Sequence, residues 1–486
     1  MNLSTKDLRA AGAAIHGEWQ AGKGAALSIA NPVTGAPILS FAAASEAQVN
    51  LAVMSARKAM PEWRRTSAAQ RGHVLRRIAE LVADHREHLA ALQSLCNGKP
   101  AAEAQTDVSD VIATFQYYAG LCARGEGLDP RDVPLPDAGV SAELQYVPVG
   151  VAALIVPWNF PMVTTAWKLA PALAAGCTVV LKPSELTPLA EIALMDLILQ
   201  SGLPPGVVNL VCGAGSVGAA LVDHPGVAKV SFTGSNATGQ RILQACGARM
   251  QRVSLELGGK SALIVLDAAD LDLATELATA GAFYNAGQMC SATSRVLVAR
   301  PVFKNFVERL VDAAQALRHG DPGDASVNLG PLISAAQRES VLGRIRRGVA
   351  DGARLRCGGS AAGSEGFALQ PTVFTDATGS AALWREEIFG PVVCVEPFDD
   401  DTQAAAIAND SDHGLVATVV STDRDRALRL AAELEVGTAW VNVPQLIYPQ
   451  TAWGGFKHSG LGRELGPWGL QAFQELRHVI APRPPQ

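Results

Sequence analysis

The chain has 486 residues, 48% hydrophobic and 18% charged, with a formal net charge of −6. That length leaves room for about two to four domains with large buried cores, and a mildly acidic balance disfavours a nucleic-acid or anionic-membrane binder. The eight cysteines include no Cys-x-x-Cys pair and the nine histidines no His-Glu-x-x-His pattern, so no metal centre is expected. The opening Met1-Asn-Leu-Ser-Thr-Lys6 begins no apolar run, so no secretory signal is expected. The longest nearly apolar run, Leu169–Leu181, is too short to span a bilayer and contains Pro and Gly. A reducing, cytoplasmic setting follows as the expectation.

In chain order, the first stretch predicts helices over Glu46–Met60, Ala68–Cys96 and Asp107–Ala123. Pro130–Val147, with Pro, Asp and alternating apolar residues, reads as an extended excursion. An alternating rhythm then begins: strand Gly150–Val156, helix Thr164–Ala175, strand Thr178–Leu181, helix Pro188–Ser201. Strand Val207–Val211, helix Ser216–Asp223 and strand Lys229–Phe232 continue it. After Lys260 it restarts with strand Ser261–Val265, helix Leu271–Phe283, strand Arg295–Ala299 and helix Val302–Leu317. This pattern implies βαβ units and largely parallel sheets, an α/β fold. Ala472–Ile480 reads as a last strand, pairing with a neighbouring subunit.

Two glycine-rich turns compete for a phosphate. Gly213-Ala-Gly-Ser-Val-Gly218 has the dinucleotide-binding spacing after a strand, but no acidic residue follows about 20 positions on; a tight strand-to-helix turn is the better reading. Phe232-Thr-Gly-Ser-Asn-Ala-Thr-Gly239 is the stronger candidate. Ser235 can cap the helix and bond a phosphate oxygen, while Gly234 and Gly239 allow close backbone approach.

Cys290, among small residues on a segment that can bend at Gly287, reads as an exposed nucleophile, and Glu256 on a Gly-rich turn as a general base. The plain alternatives are an inert buried thiol and a capping carboxylate.

Seven stretches then fall in one order: Val156-Pro-Trp-Asn-Phe-Pro161, Leu181-Lys-Pro-Ser-Glu185, Phe232-Thr-Gly-Ser235, Leu255-Glu-Leu-Gly-Gly-Lys260, Gly287-Gln-Met-Cys290, Glu386-Glu-Ile-Phe-Gly-Pro391 and Gly454–Gly466. Over nearly its whole length the chain resembles the NAD(P)-dependent aldehyde dehydrogenase superfamily. The resemblance implies a Rossmann-type cofactor domain, an α/β catalytic domain and a small β oligomerisation element. It implies that Cys290 attacks the aldehyde, that Asn159 and the Cys290 backbone N–H hold the oxyanion, and that Glu256 activates water. Lys168 resembles the lysine that supports Asn159 and proton relay. The implied cofactor set is Val156, Trp158, Lys182, Ser184, Glu185, Gly234, Ser235, Leu257, Glu387 and Phe389. A carboxylate at Glu185 suits ribose hydroxyls and repels a 2′-phosphate, so NAD is expected over NADP.

Phe160, Trp167, Tyr284 and Trp453 fall where the family lines its substrate tunnel, and such rings can box an ammonium group. The motifs look like those of the betaine-aldehyde and aminoaldehyde branch. If the segment after Gly98 is helical, Glu103, Asp107 and Asp110 share one face, an acidic attraction for a cationic aldehyde or simply a solvated surface. Phe160, Tyr284, Val443 and Ile447 depart from that branch, which keeps neutral aldehydes open as substrates. A cofactor-independent thioester or ester hydrolase and a non-catalytic relative are the rivals. The expected organisation is a cofactor domain over residues 1–123 and 148–256 and a catalytic domain over 257–458. Residues 124–147 and 459–486 form the oligomerisation element and tail, in a homodimer or homotetramer.

Overall fold

The computed structural model describes residues 11–137 and 139–483, so the Met1–Lys6 segment weighed above lies outside the described residues. Two hairpins open the chain, Ala13–Ile15 with Glu18–Gln20 and Ala26–Ala30 with Pro37–Ala42; the sequence reading had no strands there. Helices Glu46–Trp63 and Ala68–Asp84 begin at Ser45 and Ser67, which accept the amides of Gln48 and Gln70 while those side chains reach back. Each such box satisfies two end donors. The expected run Ala68–Cys96 breaks at His85, and Arg86–Asn97 follows. Gly98 in a left-handed conformation ends that helix, and Pro100 stands just before the next, Ala101–Arg124. This helix starts before the expected Asp107.

Five parallel strands make the heart of an eight-stranded sheet, in the spatial order Val208–Val211, Thr178–Lys182, Val151–Ile155, Lys229–Thr233, Arg252–Glu256. The chain starts in the middle, winds outward, then crosses back to the other side at Lys229–Thr233. Val151–Ile155 and Thr178–Lys182 are buried throughout, as strands covered on both faces must be. The reversal opens a crevice beyond the carboxyl ends of Val151–Ile155 and Lys229–Thr233, where doubly wound sheets bind ligands.

The second sheet has seven strands, parallel except at its edge Arg354–Cys357. Ala262–Val265 lies between Arg295–Ala299, the central strand, and Val416–Val420, with Ile264, Val296, Val393 and Val419 wholly buried in the core. The chain leaves the carboxyl end of Arg252–Glu256, crosses Leu257-Gly-Gly-Lys260 and enters Ala262–Val265 at its amino end. Cys290 lies just before the amino end of Arg295–Ala299. The carboxyl edge of one sheet therefore meets the amino edge of the other.

The last strand, Gln474–Pro482, pairs antiparallel with Val140–Pro148 of the same chain, from Gln474 opposite Pro148 to Pro482 opposite Val140. The excursion predicted at Pro130–Val147 supplies one neighbour within the chain, with Arg131–Val133 on its far side, and the other edge of Gln474–Pro482 is left unpaired among the described residues. Leu476 and Ile480 remain 63% and 64% exposed on the new edge. Gly460–Leu461 joins the first sheet beside Arg252–Glu256, although it falls within the predicted tail. No helix among the described residues is long and apolar enough to cross a membrane.

Candidate active site

A cavity of about 980 Å³ lies between the two sheet edges, with Asn159, Glu256 and Cys290 all in its wall. Cys290 reaches it through an unusual turn. After helix Leu271–Phe283, Asn285, Ala286 and Gly287 all take left-handed φ values of 49°, 55° and 69°. For a non-glycine residue that conformation costs about 1–2 kcal/mol, so the surrounding contacts must hold it. The Cys290 thiol is pushed well up by burial, then by the neighbouring Glu256 and Glu387 carboxylates.

Glu256 is the last residue of its strand and 3% exposed. Its Oε1 has no hydrogen-bond partner in the protein. Burial, and then the charge of Glu464, push this carboxyl well above its ordinary range, while Lys168 pulls it back. A buried carboxyl with one oxygen unpartnered, facing a cavity, is poised to exchange a proton with whatever fills that cavity.

Asn159 donates its side-chain amide to the Gln288 carbonyl at 3.0 Å, and its own carbonyl accepts from Asn285 Nδ2 at 3.1 Å. The expected support from Lys168 is corrected. Lys168 Nζ bonds Thr233 Oγ1 at 2.6 Å and pairs with Glu464, because helix Pro161–Ala175 turns that side chain onto the polar row of the strand Lys229–Thr233. Glu464 was not anticipated; nothing in a lone carboxylate within a Gly-rich tail marks it as the partner of a buried lysine.

Trp158, Gly234, Ser235, Leu257, Glu387 and Phe389 line the other arm of the cavity. Ser235 caps helix Asn236–Gly247 and accepts the Thr238 N–H, so that helix opens its amino end toward the cavity, an arrangement suited to a phosphate. The Trp158 and Phe389 rings meet edge-on at 5.2 Å between centroids. Glu387 accepts the Gly259 N–H at 3.1 Å and burial raises its carboxyl to about 7. Val156, Lys182, Ser184 and Glu185 stand off the wall, at the carboxyl ends of the two central strands. Val156 N bonds the Lys182 carbonyl at 3.2 Å, and Lys182 Nζ lies 3.7 Å from Glu185. Gly213, Gly215 and Gly218 are absent from the wall; Gly218 packs against the Lys182 side chain, in keeping with a turn. Gln337 and Arg344 of helix Ala335–Ala350 are in the wall unannounced, and Arg344 is the one basic side chain there among the described residues. Basic residues on an amphipathic helix carry no signal that separates them from a solvated face.

The aldehyde dehydrogenase family pattern matches residues 19–479. The chain belongs to the aldehyde dehydrogenase family. A chloroplastic aminoaldehyde dehydrogenase of Arabidopsis thaliana is 43% identical to it over 464 residues, 93% of this chain and 92% of the relative. Betaine aldehyde dehydrogenase 1 of Oryza sativa subsp. japonica is 42% identical over 474 residues, 96% and 94% of the two chains. The crystal structure of betaine aldehyde dehydrogenase from Staphylococcus aureus in complex with NAD+ matches with a TM-score of 0.96 at 37% identity, covering 99% of this chain and 97% of that one.

In this aldehyde dehydrogenase all four predicted aromatic residues line the cavity. Phe160 and Tyr284 lie parallel within 4° at 6.3 Å, and Trp167 meets Trp453 at 5.6 Å. The acidic face divides: Asp107 and Asp110 line the cavity, and Glu103 does not. Glu103 and Asp107 are buried rather than solvated: Asp107 pairs with Lys99 at 2.6 Å, and Glu103 accepts the Asn285 N–H at 3.1 Å and stands off the wall. Their helix packs against the Cys290 turn and so cannot present them to solvent. Asp107 and Asp110 both reach the wall, and burial, then Asp107, raise the Asp110 carboxyl to about 7. Lys99 Nζ also sits 4.1 Å above the Phe160 ring, a cation the sequence reading did not place there. Val443 and Ile447 line the same arm. Among the described residues no group of three or more His, Cys, Asp or Glu is placed to hold a metal ion.

Proposed function

We propose that this enzyme oxidises an aldehyde to a carboxylic acid with NAD, through a thioester on Cys290. The observation that carries the reading is the convergence of Cys290, the buried Glu256 carboxyl with its unpartnered Oε1, and the Asn159 amide on one cavity wall. The Cys290 thiol passes its proton by way of the Glu256 carboxylate to solvent, and its sulfur adds to the aldehyde carbon, moving the carbonyl electron pair onto oxygen. The Asn159 amide and the Cys290 backbone N–H hold that oxyanion. NAD held in the cofactor arm would supply the hydride acceptor, and loss of that hydride as the carbonyl re-forms leaves a thioester on Cys290. Glu256 then takes a proton from water, the hydroxide adds to the thioester, and the Cys290 thiolate departs as the acid is released.

The cofactor arm suits a dinucleotide. The amino end of Asn236–Gly247 with Ser235 suits the diphosphate, and Glu387 a ribose diol. Lys182 and Glu185 stand at the next strand end for the second ribose, and the Glu185 carboxylate favours NAD over NADP. A methyl on Gly258 would overlap the Glu387 carboxylate, so glycine there keeps that acceptor in place.

For the substrate we favour an aldehyde bearing an amino or trimethylammonio group. Asp110 and the rings of Trp167, Tyr284 and Trp453 share the wall beyond Cys290, and the relatives named above are aminoaldehyde and betaine aldehyde dehydrogenases. A neutral aldehyde is the second reading, because Lys99 already occupies a face of Phe160 while Val443 and Ile447 extend the apolar wall. NADH formation over betaine aldehyde, 4-aminobutyraldehyde, hexanal and benzaldehyde, with NADP in parallel, tests both. Higher kcat/KM for the cationic pair supports the first reading, preference for the neutral pair the second. Ester hydrolysis with no NADH from any aldehyde defeats the oxidation itself.

We further read residues 1–123 with 148–256 as the cofactor domain, 257–458 as the catalytic domain, and 124–147 with 459–486 as the element of a homodimer or homotetramer. The apolar side chains exposed on Gln474–Pro482 support the last assignment. A cytoplasmic location is part of the same proposal.

A further inference from the structure

Glu103 lies behind the cavity wall, against the turn that carries Cys290. Glu103 belongs to the first turn of helix Ala101–Arg124, and its Oε2 accepts the backbone N–H of Asn285 at 3.1 Å. Asn285 is the first of the three left-handed residues that lead to Cys290. Its side-chain amide donates twice, to the Asn159 carbonyl at 3.1 Å and to the Gln288 carbonyl at 3.1 Å. The Asn159 amide meets that same Gln288 carbonyl at 3.0 Å. From the preceding helix end, Asn97 Nδ2 donates to the carbonyls of Trp158 at 2.7 Å and Asn159 at 3.4 Å. Gln288 is itself fixed, accepting the Ile333 N–H at 2.8 Å and donating to the Pro331 carbonyl at 3.3 Å.

We infer that Glu103 and Asn285 are positioning residues that lock the turn carrying Cys290 against the loop carrying Asn159. Those two segments leave different sheets, and each brings one donor for the oxyanion: the Asn159 amide and the Cys290 backbone N–H. Both donors serve only if they aim at one point, so the register between the segments matters as much as the donors. The Asn285 amide spans that register, and Glu103 holds Asn285 in a conformation it would otherwise leave. Buried hydrogen bonds of this kind fix geometry because breaking one strands its partners away from water. Glu103 thereby acts on the reaction without touching the aldehyde, and its charge does not select among substrates.

This inference rests on the thioester chemistry proposed above, and one set of variants separates the two. Glu103→Ala, Glu103→Gln and Asn285→Gly are assayed with betaine aldehyde and with benzaldehyde, alongside NAD affinity by fluorescence titration and thermal melts. Glu103→Ala is expected to lower kcat for both aldehydes alike by roughly 10- to 100-fold, the cost of small misplacement of reacting groups. KM and NAD affinity stay within about twofold of wild type. Glu103→Gln, whose amide oxygen still accepts the Asn285 N–H, restores most of kcat. Asn285→Gly tolerates the left-handed φ without strain, so it keeps the fold if Glu103→Ala does not, and it loses kcat in the same way. Unchanged kcat in a folded Glu103→Ala or in Asn285→Gly, or a loss confined to KM for betaine aldehyde, overturns the positioning role and leaves the thioester chemistry standing. A wild-type enzyme that forms no NADH from any aldehyde overturns that chemistry and this inference with it.

Discussion

The backbone of Gly259 passes so close to Cys290 that a methyl group on its α-carbon would overlap the Cys290 carbonyl oxygen. The crossing from Glu256 into the second sheet and the turn that bears the nucleophile are thus in backbone contact, and only a residue without a side chain fits. Gly259→Ala is expected to destabilise the fold by about 1–3 kcal/mol through overpacking and to lower kcat, because either Glu256 or Cys290 must shift. Thermal melts and steady-state kinetics check both parts.

Lys168 and Glu464 are 0% and 8% exposed at their side chains and pair directly. Removing one partner of a buried pair leaves the other charged and unsolvated, at a cost of about 3–5 kcal/mol. Lys168→Met should therefore lower the melting temperature markedly, and Lys168→Met with Glu464→Gln should recover part of the loss. Denaturant titration of the single and double variants measures the coupling.

Burial and two carboxylates push the Cys290 thiol up, so in the free enzyme the thiolate fraction is small at neutral pH and grows as pH rises. Iodoacetamide labelling of Cys290 should climb about tenfold per pH unit from roughly pH 6 to 8. A rate already level near pH 7 would contradict that account. Glu387, raised to about 7 by burial, is protonated below that value and ionised above it; the ribose acceptor gains its charge on the same side, so NAD affinity should also improve from about pH 6 to 8.

Asp110 is the one member of the predicted acidic face that reaches the cavity with no hydrogen bond or ion pair to another side chain among the described residues. Asp110→Asn should raise KM for betaine aldehyde and 4-aminobutyraldehyde by roughly 3- to 10-fold, on the order of 1 kcal/mol. Benzaldehyde should be unaffected. Equal effects on all substrates would remove Asp110 from recognition.

The parallel sheets were legible because βαβ units write apolar strands and amphipathic helices in strict alternation, and Leu271–Phe283 and Arg295–Ala299 fall where they were expected. The opening hairpins were not, since strands as short as Ala13–Ile15 carry too few residues for a period. In the site, Cys290, Glu256 and Asn159 were visible as residue types within ordered motifs. Their supports were not. Glu464 lies 296 positions from Lys168, and Asn285 reads as an ordinary turn residue until its φ is known. The helical spacing of Glu103, Asp107 and Asp110 placed them on one face correctly, but periodicity cannot say whether a polar face meets water or another element. Here two of the three met the interior.

The central claim is a covalent acyl group on Cys290, and trapping it is the most direct measurement. Glu256→Gln mixed with NAD and benzaldehyde, quenched in acid and digested, should yield the Cys290 peptide carrying a benzoyl group, with a burst of NADH of matching amount and slow turnover after it. Rapid NADH formation with an unmodified Cys290 peptide and an undiminished steady state would contradict both the thioester and the role of Glu256 in its hydrolysis.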